Sequence, residues 1–328
     1  MPSADVTAAR RVVLITTGGT IAGVAADARE HVSYRAGVLG AHELLAALPG
    51  FPGSPEAAVE SVALARLDSC DMDHSTWVRL ARAIKDQLAR PEVTGVVVTH
   101  GTDTLEETAY FLHHTVRADK PVVLTAAMRP ATAASPDGPQ NLLDALTLAA
   151  GATGSGALGV LGVLVVMGGT VHAGVDVRKL HGYRLEAFGS GDAGPVALVQ
   201  DGAVRALRAW PAWPADPPFA AALQTDPAVW PAVDIVTSHA GARAATLDAL
   251  VAAGARGIVL AGTGNGTVHA ALRAAAQRAQ AQGVRVLRAT RCVAGGVVGA
   301  PADALPSAGD ATPAQARVQL LLSLVSGG

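Results

Sequence analysis

Short runs of β-branched residues alternate with longer segments of helical periodicity, and this alternation constrains the fold more than any other feature. When helical segments separate successive strands, the strands usually form a parallel sheet with helices on both faces. The predicted strands of the first half are Arg11–Thr17, Val59–Leu67, Gly95–Thr99, Pro121–Ala127 and Gly159–Met167. The predicted helices between them are Ser75–Ala89, Leu105–Val116 and Leu142–Ala150.

The chain changes character between Gly191 and Pro231, where tryptophan-proline and proline-proline pairs recur. Proline removes a backbone donor that helices and central strands need, so this stretch is predicted to be a linker. The alternation then resumes with predicted strands at Asp234–Ser238, Gly257–Ala261 and Val284–Thr290, and helices at Ala242–Ala253, Val268–Gln282 and Pro313–Val325. The fold class is therefore α/β. We predict a larger N-terminal parallel-sheet domain over residues 1–190, a Pro/Trp-rich linker over 191–231 and a smaller C-terminal α/β domain over 232–328.

The charge balance argues against nucleic-acid and membrane partners. The chain has 25 basic and 27 acidic residues, a formal net charge of -2, and so offers no basic field for phosphates. The longest apolar run, near Leu158 to Met167, is about half as long as a membrane-spanning helix requires. The stretch after Arg11 lacks the apolar core of a signal peptide, so we expect a cytoplasmic location.

Cysteine and histidine usage argues against a metal site. Cys70 and Cys292 are the only cysteines in the sequence, which is too few for a disulfide framework or a four-thiolate metal site. His113 and His114 are adjacent, so they would point to different faces of a helix. No His-Glu-x-x-His pattern occurs either. We therefore expect no metal.

Three loops that follow predicted strands carry hydroxyl side chains; two of the loops also carry acidic residues, and two carry glycines. In open parallel sheets, ligands bind outside the carboxyl ends of the strands, so these loops should meet at one edge. Glycine lets backbone N–H groups approach a ligand closely enough to stabilise an oxyanion. Turns and helix caps explain the same residues without chemistry, with Thr102 or Asp103 as a cap and nearby glutamates complementing the helix dipole. The loops span residues 17–23, 68–73 and 99–107.

Two of these loops resemble the paired signatures of the bacterial L-asparaginase family. The segments are Thr-Gly-Gly-Thr-Ile-Ala-Gly at 17–23 and Thr-His-Gly-Thr-Asp-Thr-Leu-Glu-Glu-Thr-Ala at 99–109, about eighty residues apart. The similarity extends to Ala127–Pro130, Asp137–Pro139, Val165–Met167 and Gly264–Gly266. The resemblance implies hydrolysis of a side-chain amide through an acyl-threonine intermediate, without a metal or organic cofactor.

The resemblance also implies roles for individual residues. Thr20 would be the nucleophile, and Tyr34 would be its partner on a mobile lid that follows the first loop. Thr102, Asp103 and Lys179 would form a second group, with the lysine beside the second threonine and Asp103 binding the substrate α-ammonium. Lysine suits that place because a desolvated amine can lose a proton, and only three lysines occur in the chain.

Further residues correspond to the family's substrate contacts. Ser69 would bind the α-carboxylate, and Asn265 would be a substrate-side or interface residue contributed by a neighbouring subunit, although both residue types also suit ordinary turns. Cys70 stands where periplasmic members carry glutamine, so its contact to the substrate's charged groups is an open question. The stretch Val297–Leu305 contains no glutamate to match the one that such members contribute from the adjacent subunit, and Asp303 is its nearest acid.

The predicted function is therefore that of an L-asparaginase, which converts L-asparagine to L-aspartate and ammonia. A glutaminase-asparaginase of broad specificity stays open, because one methylene changes discrimination by only about 1–3 kcal/mol. A non-catalytic amino-acid-binding sensor is the alternative outside the enzymes. Family resemblance further implies a homo-oligomer, a tetramer built as a dimer of dimers.

Overall fold

The computed structural model describes residues 10–48, 58–117, 119–151, 162–210, 216–299 and 305–327. The chain forms two compact units, of which the first ends at Pro217 and the second begins at Pro218. Within the described ranges, none of the helices is both long enough and apolar enough to cross a membrane.

The larger unit contains twelve of the strands and four of the α-helices found in the described residues. In chain order its strands are β1 (Arg11–Gly18), β2 (Val24–Ala25), β3 (Tyr34–Arg35), β4 (Ala58–Leu67), β5 (Val93–Thr99), β6 (Val122–Thr125), β7 (Val163–Met167), β8 (Thr170–Ala173), β9 (Arg178–Lys179), β10 (Phe188–Gly189), β11 (Ala197–Gln200) and β12 (Ala203–Ala206). Its helices are α1 (Ala41–Ala46), α2 (His74–Leu88), α3 (Leu105–Thr115) and α4 (Gly138–Ala149).

Eight of these strands form one mixed sheet in the order β12-β11-β8-β7-β6-β5-β1-β4. The five strands from β4 to β7 are parallel, whereas β8, β11 and β12 are antiparallel to their neighbours. The predicted parallel sheet is confirmed over these five strands, and three antiparallel strands that were not predicted extend it at one edge. The reason lies in Gly168 and Gly169, which both adopt positive φ between β7 and β8. Such a two-residue turn makes a hairpin, while a parallel connection needs a long crossover.

The hairpin of β11 and β12 lies inside the segment predicted to be a linker. Residues 196–210 contain no proline, so the argument from proline does not apply to them. Asp201 and Gly202 both have positive φ and connect the two strands. An Asp-Gly pair between short apolar runs is a strong hairpin signal, and it explains why the first unit extends to Pro217 instead of ending near residue 190.

The core of the larger unit lies on both faces of the sheet. Val12 and Leu14 belong to the cluster that includes residues of α1 and α4. Because side chains alternate along a strand, the buried Val13 and Ile15 face the opposite side. That side is covered by α2 and α3, which contact each other and pack on β5 and β7 respectively.

The smaller unit matches its predicted pattern element by element. Its strands β13 (Val233–Thr237), β14 (Gly257–Gly262) and β15 (Arg285–Thr290) form a parallel sheet in that order. Its helices are α5 (Ala245–Ala252), α6 (Ala270–Ala281) and α7 (Pro313–Val325). The last helix begins where predicted because Thr312 and Gln315 form a capping box ahead of it, with proline in the first turn.

Candidate active site

The three loops predicted to converge do meet at one edge of the sheet. Strand β1 lies between β4 and β5, so the loops at their carboxyl ends are neighbours. A Cβ atom on Gly19, whose φ is +81°, would lie 2.5 Å from the Gly101 backbone. A Cβ atom on Gly101 would lie 2.5 Å from Oγ of Ser69. Only glycine allows this close packing, which brings the Thr20, Ser69 and Thr102 segments together.

The first group in this site is Thr20 with Tyr34. Thr20 is buried at the start of a short 3-10 turn. Tyr34 lies on β3, which pairs with β2 and folds back over the loop. The hydroxyl oxygens of Tyr34 and Thr20 are 2.6 Å apart. Gly23 permits this placement, since a Cβ there would lie 2.8 Å from Cδ2 of the tyrosine ring.

The surroundings of Tyr34 favour its protonated form. Partial burial raises the pKa of Tyr34, and the nearby Asp68, Asp103 and Cys70 raise it further, whereas the Thr20 hydrogen bond lowers it. A phenolate would be costly in this environment. At neutral pH, Tyr34 is therefore a protonated phenol and not a phenolate base. It can accept a proton from Thr20 only if it passes its own proton on to another group.

The second group is centred on Lys179, which lies on β9. Its Nζ donates to Oγ1 of Thr102 at 2.9 Å and to Oδ1 of Asp103 at 2.6 Å. The lysine side chain is 19% exposed and the aspartate side chain is 54% exposed. The ion pair therefore joins a mostly buried lysine to a half-exposed carboxylate. Helix α3 begins after Thr104 without a side-chain cap. The cap alternative for Thr102 and Asp103 is therefore wrong.

Ser69 and Cys70 occupy the middle loop in different environments. Ser69 is buried, its Oγ accepts the Asp103 backbone N–H at 3.0 Å, and its carbonyl accepts the Thr104 hydroxyl at 2.7 Å. The Ser69 O–H group points from a fixed position and can donate to a bound carboxylate. Cys70 is exposed. The pKa of its thiol is raised, first by desolvation and then by the negative charges of Asp68, Asp71 and Asp103. A protonated thiol is a poor nucleophile.

Asn265 lies in the smaller unit, on the turn that follows β14. Its carboxamide donates to the Val298 carbonyl and accepts from the Val298 N–H, both at 2.7 Å. Arg288, which is buried, donates to the carbonyls of Asn265, Gly299 and Leu305 and so holds the same turn. A substrate or interface role for Asn265 stays a prediction. Asp303 lies outside the described residues.

Sequence reasoning missed a relay of buried groups behind the third loop. The indole N–H of Trp77 can only donate, and it reaches the Thr108 hydroxyl at 2.8 Å. Thr108 then donates to Nε2 of His100 at 3.0 Å, and His100 donates through Nδ1 to the Gly101 carbonyl at 2.7 Å. Burial lowers the pKa of His100 to about 4, so the ring is neutral. The relay thereby fixes the backbone that leads into Thr102.

The electrostatic character of the site is acidic and hydroxyl-rich. Asp68, Asp103 and the hydroxyls of Thr20, Tyr34 and Thr102 surround the point where the loops meet. Within the described residues, no group of three or more His, Cys, Asp or Glu side chains is placed to hold a metal ion. The arrangement can bind a cation and can transfer a proton between hydroxyl groups.

Family models match nearly the whole chain. The asparaginase N-terminal model matches residues 11–211, and the glutaminase/asparaginase C-terminal domain model matches residues 232–328. The chain belongs to the asparaginase family. The boundaries of the two family models fall on either side of the division between the two compact units.

Relatives and solved structures agree with this membership. L-asparaginase 2 of Bacillus subtilis is 36% identical over 315 residues, which cover 95% of this chain and 81% of the relative. Glutaminase-asparaginase of Pseudomonas fluorescens is 35% identical over 288 residues, 88% of this chain and 77% of the relative. The crystal structure of the probable cytoplasmic L-asparaginase from Campylobacter jejuni superposes with a TM-score of 0.88 at 35% identity, covering 96% and 95% of the two chains.

Proposed function

We propose that this family member is an L-asparaginase that converts L-asparagine and water to L-aspartate and ammonia through an acyl-threonine intermediate. The observation that carries this proposal is the meeting of the Thr20–Tyr34 pair with the Lys179–Thr102–Asp103 group at one sheet edge. Side-chain amide hydrolysis requires a nucleophile, proton transfer and oxyanion donors. These side chains can supply the first two, and backbone N–H groups beside the glycines of the two loops can supply the third, so we propose that no metal or organic cofactor takes part.

In the first half of the reaction, Oγ1 of Thr20 attacks the amide carbon of the substrate. A threonine hydroxyl must lose its proton as it attacks, and the 2.6 Å contact gives that proton a path to Tyr34. Because Tyr34 is itself protonated, it must pass its own proton onward, and the departing amide nitrogen is the group that needs one. The C–N bond then breaks, ammonia leaves, and an ester joins the substrate to Thr20.

In the second half, water attacks the ester and restores Thr20. Water loses a proton as it attacks, and the Thr20 oxygen gains one as it leaves. Lys179 and Thr102, 2.9 Å apart and both protonated, can serve as a relay that accepts the water proton and passes another to Thr20. The ester C–O bond breaks, Thr20 regains its proton, and L-aspartate is released. Lysine is suited to this place, whereas arginine holds its proton in proteins.

Substrate orientation is proposed to come from the other two loops. The half-exposed carboxylate of Asp103 can form a charge-assisted hydrogen bond with the α-ammonium group. The buried Ser69 hydroxyl and neighbouring N–H groups can bind the α-carboxylate. Cys70 lies next to Ser69 and offers a weak donor where a carboxamide would offer two.

We also propose a homotetramer, built as a dimer of dimers, in the cytoplasm. Exposed apolar side chains cluster on the segment after Lys179, at Leu180, Tyr183 and Leu185, and a second copy of the chain would cover them. The cytoplasmic location is supported by the description of the Campylobacter jejuni neighbour. Light scattering after size-exclusion chromatography tests the assembly. Cell fractionation tests the location, and recovery in the periplasm would contradict it.

Steady-state ammonia release from L-asparagine and L-glutamine tests the function, with the Thr20→Ala variant as the blank. We expect turnover of L-asparagine and at least a 10³-fold loss in Thr20→Ala. A loss below about tenfold would contradict the nucleophile assignment. Equal turnover of L-glutamine would identify a glutaminase-asparaginase, as one relative is named. A thermal shift with L-asparagine but no ammonia would identify a sensor.

A further inference from the structure

The backbone of Lys179 lies in a short hairpin, which is closed by the Leu180 N–H donating to the Ala187 carbonyl at 2.7 Å. Strand β9 is two residues long and pairs with only two residues of β10. The segment that follows, residues 180–186, is exposed throughout. A lysine side chain adds four flexible carbons between this backbone and the amine. An amine that must stay within hydrogen-bond distance of Thr102 therefore needs another attachment to hold its main chain in place.

Glu106 supplies that attachment from the helix that follows Thr102 and Asp103. It is the second residue of α3, and its Oε2 accepts the Lys179 backbone N–H at 2.7 Å. The amine of the same lysine donates to Thr102 and Asp103. Both ends of Lys179 are thus bound to one stretch of five residues, 102–106, and the contacts form a closed ring.

Helix-dipole complementation does not account for this contact. Glu107 lies in the same first turn and serves the dipole equally well. Glu106 is instead partly buried between α3 and Lys179, and this burial raises its pKa to about 7, opposed by the hydrogen bond from the Lys179 N–H. The charged neighbours are Glu107, which raises the pKa further, and Arg178 and Lys179, which lower it. A carboxyl group accepts an N–H bond in either protonation state, so the attachment persists across this range.

We infer that Glu106 is a positioning residue that holds the Lys179 main chain so that its amine reaches Thr102 and Asp103. The inference rests on the proposed role of Lys179. It assigns to Glu106 no contact with substrate and no proton transfer. Glu106 is close to Thr102 in the sequence and 73 residues from Lys179. Its hydrogen bond to the Lys179 N–H therefore links the Thr102 loop to the Lys179 strand.

Two conservative variants separate the effect of the length of the Glu106 side chain from the effect of its charge. Glu106→Gln keeps the length of the side chain and an accepting oxygen but loses the charge. Glu106→Asp keeps the charge but withdraws the oxygen by one methylene. We expect kcat for L-asparagine within about threefold of wild type in Glu106→Gln and at least tenfold lower in Glu106→Asp and Glu106→Ala, with KM changed less than about threefold. Glu107→Ala, in the same turn, is the matched control and should stay near wild type.

The remaining outcomes distinguish a failure of the inference from a failure of the proposed function on which it rests. Wild-type kcat in both Glu106→Ala and Glu106→Asp would overturn the inference, and so would a better rate in Glu106→Asp than in Glu106→Gln. If Glu106→Ala does not fold, the Gln and Asp pair still decides. In a Lys179→Met background, Glu106→Ala should cause no further loss, whereas an additive loss would overturn the inference. Full activity in Lys179→Met would instead overturn the proposed role of the lysine.

Discussion

Tyr34, on β3, places its hydroxyl oxygen 2.6 Å from Oγ1 of Thr20, which lies in the 3-10 turn before β2. If this contact carries the nucleophile's proton, Tyr34→Phe removes the path and leaves the ring packing intact. We expect kcat for L-asparagine to fall about 10²–10⁴-fold, the range typical of a lost proton-transfer group. Because Tyr34 is a phenol with a raised pKa, its ionisation should not limit the rate below about pH 10.

The control for this variant is Tyr183→Phe. Tyr183 is 60% exposed, and its hydroxyl is 3.4 Å from Nδ1 of His31. The variant loses only this hydroxyl and keeps the ring that a second copy of the chain would cover, so kcat should stay within about twofold of wild type. Ammonia release measured across pH 6–10 for both variants decides the matter. Equal rates in Tyr34→Phe and wild type would assign the proton path to another group.

The Cys70→Gln variant tests whether the middle loop limits substrate binding. A carboxamide at this exposed position could donate to the substrate carboxylate, and a hydrogen bond to a charged group is worth about 1.5–3 kcal/mol. We therefore expect KM for L-asparagine to fall about tenfold or more, with kcat little changed. Cys70→Leu is the matched control, since it adds bulk without a donor. An unchanged KM in Cys70→Gln would mean that residue 70 does not reach the substrate.

Much of the fold could be predicted because its long elements carry strong periodic and capping signals. Helix α7 matches its predicted bounds at both ends, since Thr312 and the following proline define its start. Helix α1 and the strands β8, β11 and β12 escaped prediction. So did the two-residue strands β2, β3, β9 and β10, which are too short to show any period. They form only where tertiary contacts hold them, and two of them carry Tyr34 and Lys179.

The candidate site, like the fold, could be predicted only in part. The convergence of the loops follows from strand order, so the hydroxyl and glycine residues at 17–23 and 99–104 could be placed together in advance. The side-chain contacts that hold these loops in place could not be predicted. Glu106 meets Lys179, and Trp77 meets Thr108, across sequence separations of 73 and 31 residues, and no local pattern marks such pairs. Glu106 fitted the simpler expectation of a helix-dipole acid.

The Thr108→Val variant tests the relay behind the third loop. It would leave two buried groups without partners, the indole N–H of Trp77 and Nε2 of His100. Each unsatisfied buried group costs about 1–3 kcal/mol, so the free energy of unfolding should fall by about 2–6 kcal/mol. Thr115→Val, on the same helix, removes a hydroxyl that bonds only the Phe111 carbonyl and should cost about 1 kcal/mol. Urea denaturation of both variants measures the difference, and equal losses would contradict the relay.

Asp144 provides a pH-dependent prediction away from the site. It is buried on α4, and burial raises its pKa to about 6, while the hydrogen bond from Gln140 lowers it. The folded state therefore binds the Asp144 proton more tightly than the unfolded state, whose pKa is about 3.9. The stability that this group contributes is present below pH 4 and is lost as the pH rises through 6. Asp144→Asn stays neutral throughout, so it should gain stability relative to wild type between pH 4 and 7.

The gain should reach about 3 kcal/mol, because the folded pKa lies about two units above the unfolded one, and it should level off above pH 7. Chemical denaturation of both proteins at several pH values gives the difference, and NMR titration of the carboxyl carbon gives the pKa itself. Gln140→Leu extends the test, because losing the bond that stabilises the charged carboxylate should move the titration to higher pH. A stability difference that stays flat from pH 4 to 7 would show that Asp144 ionises freely in the folded chain.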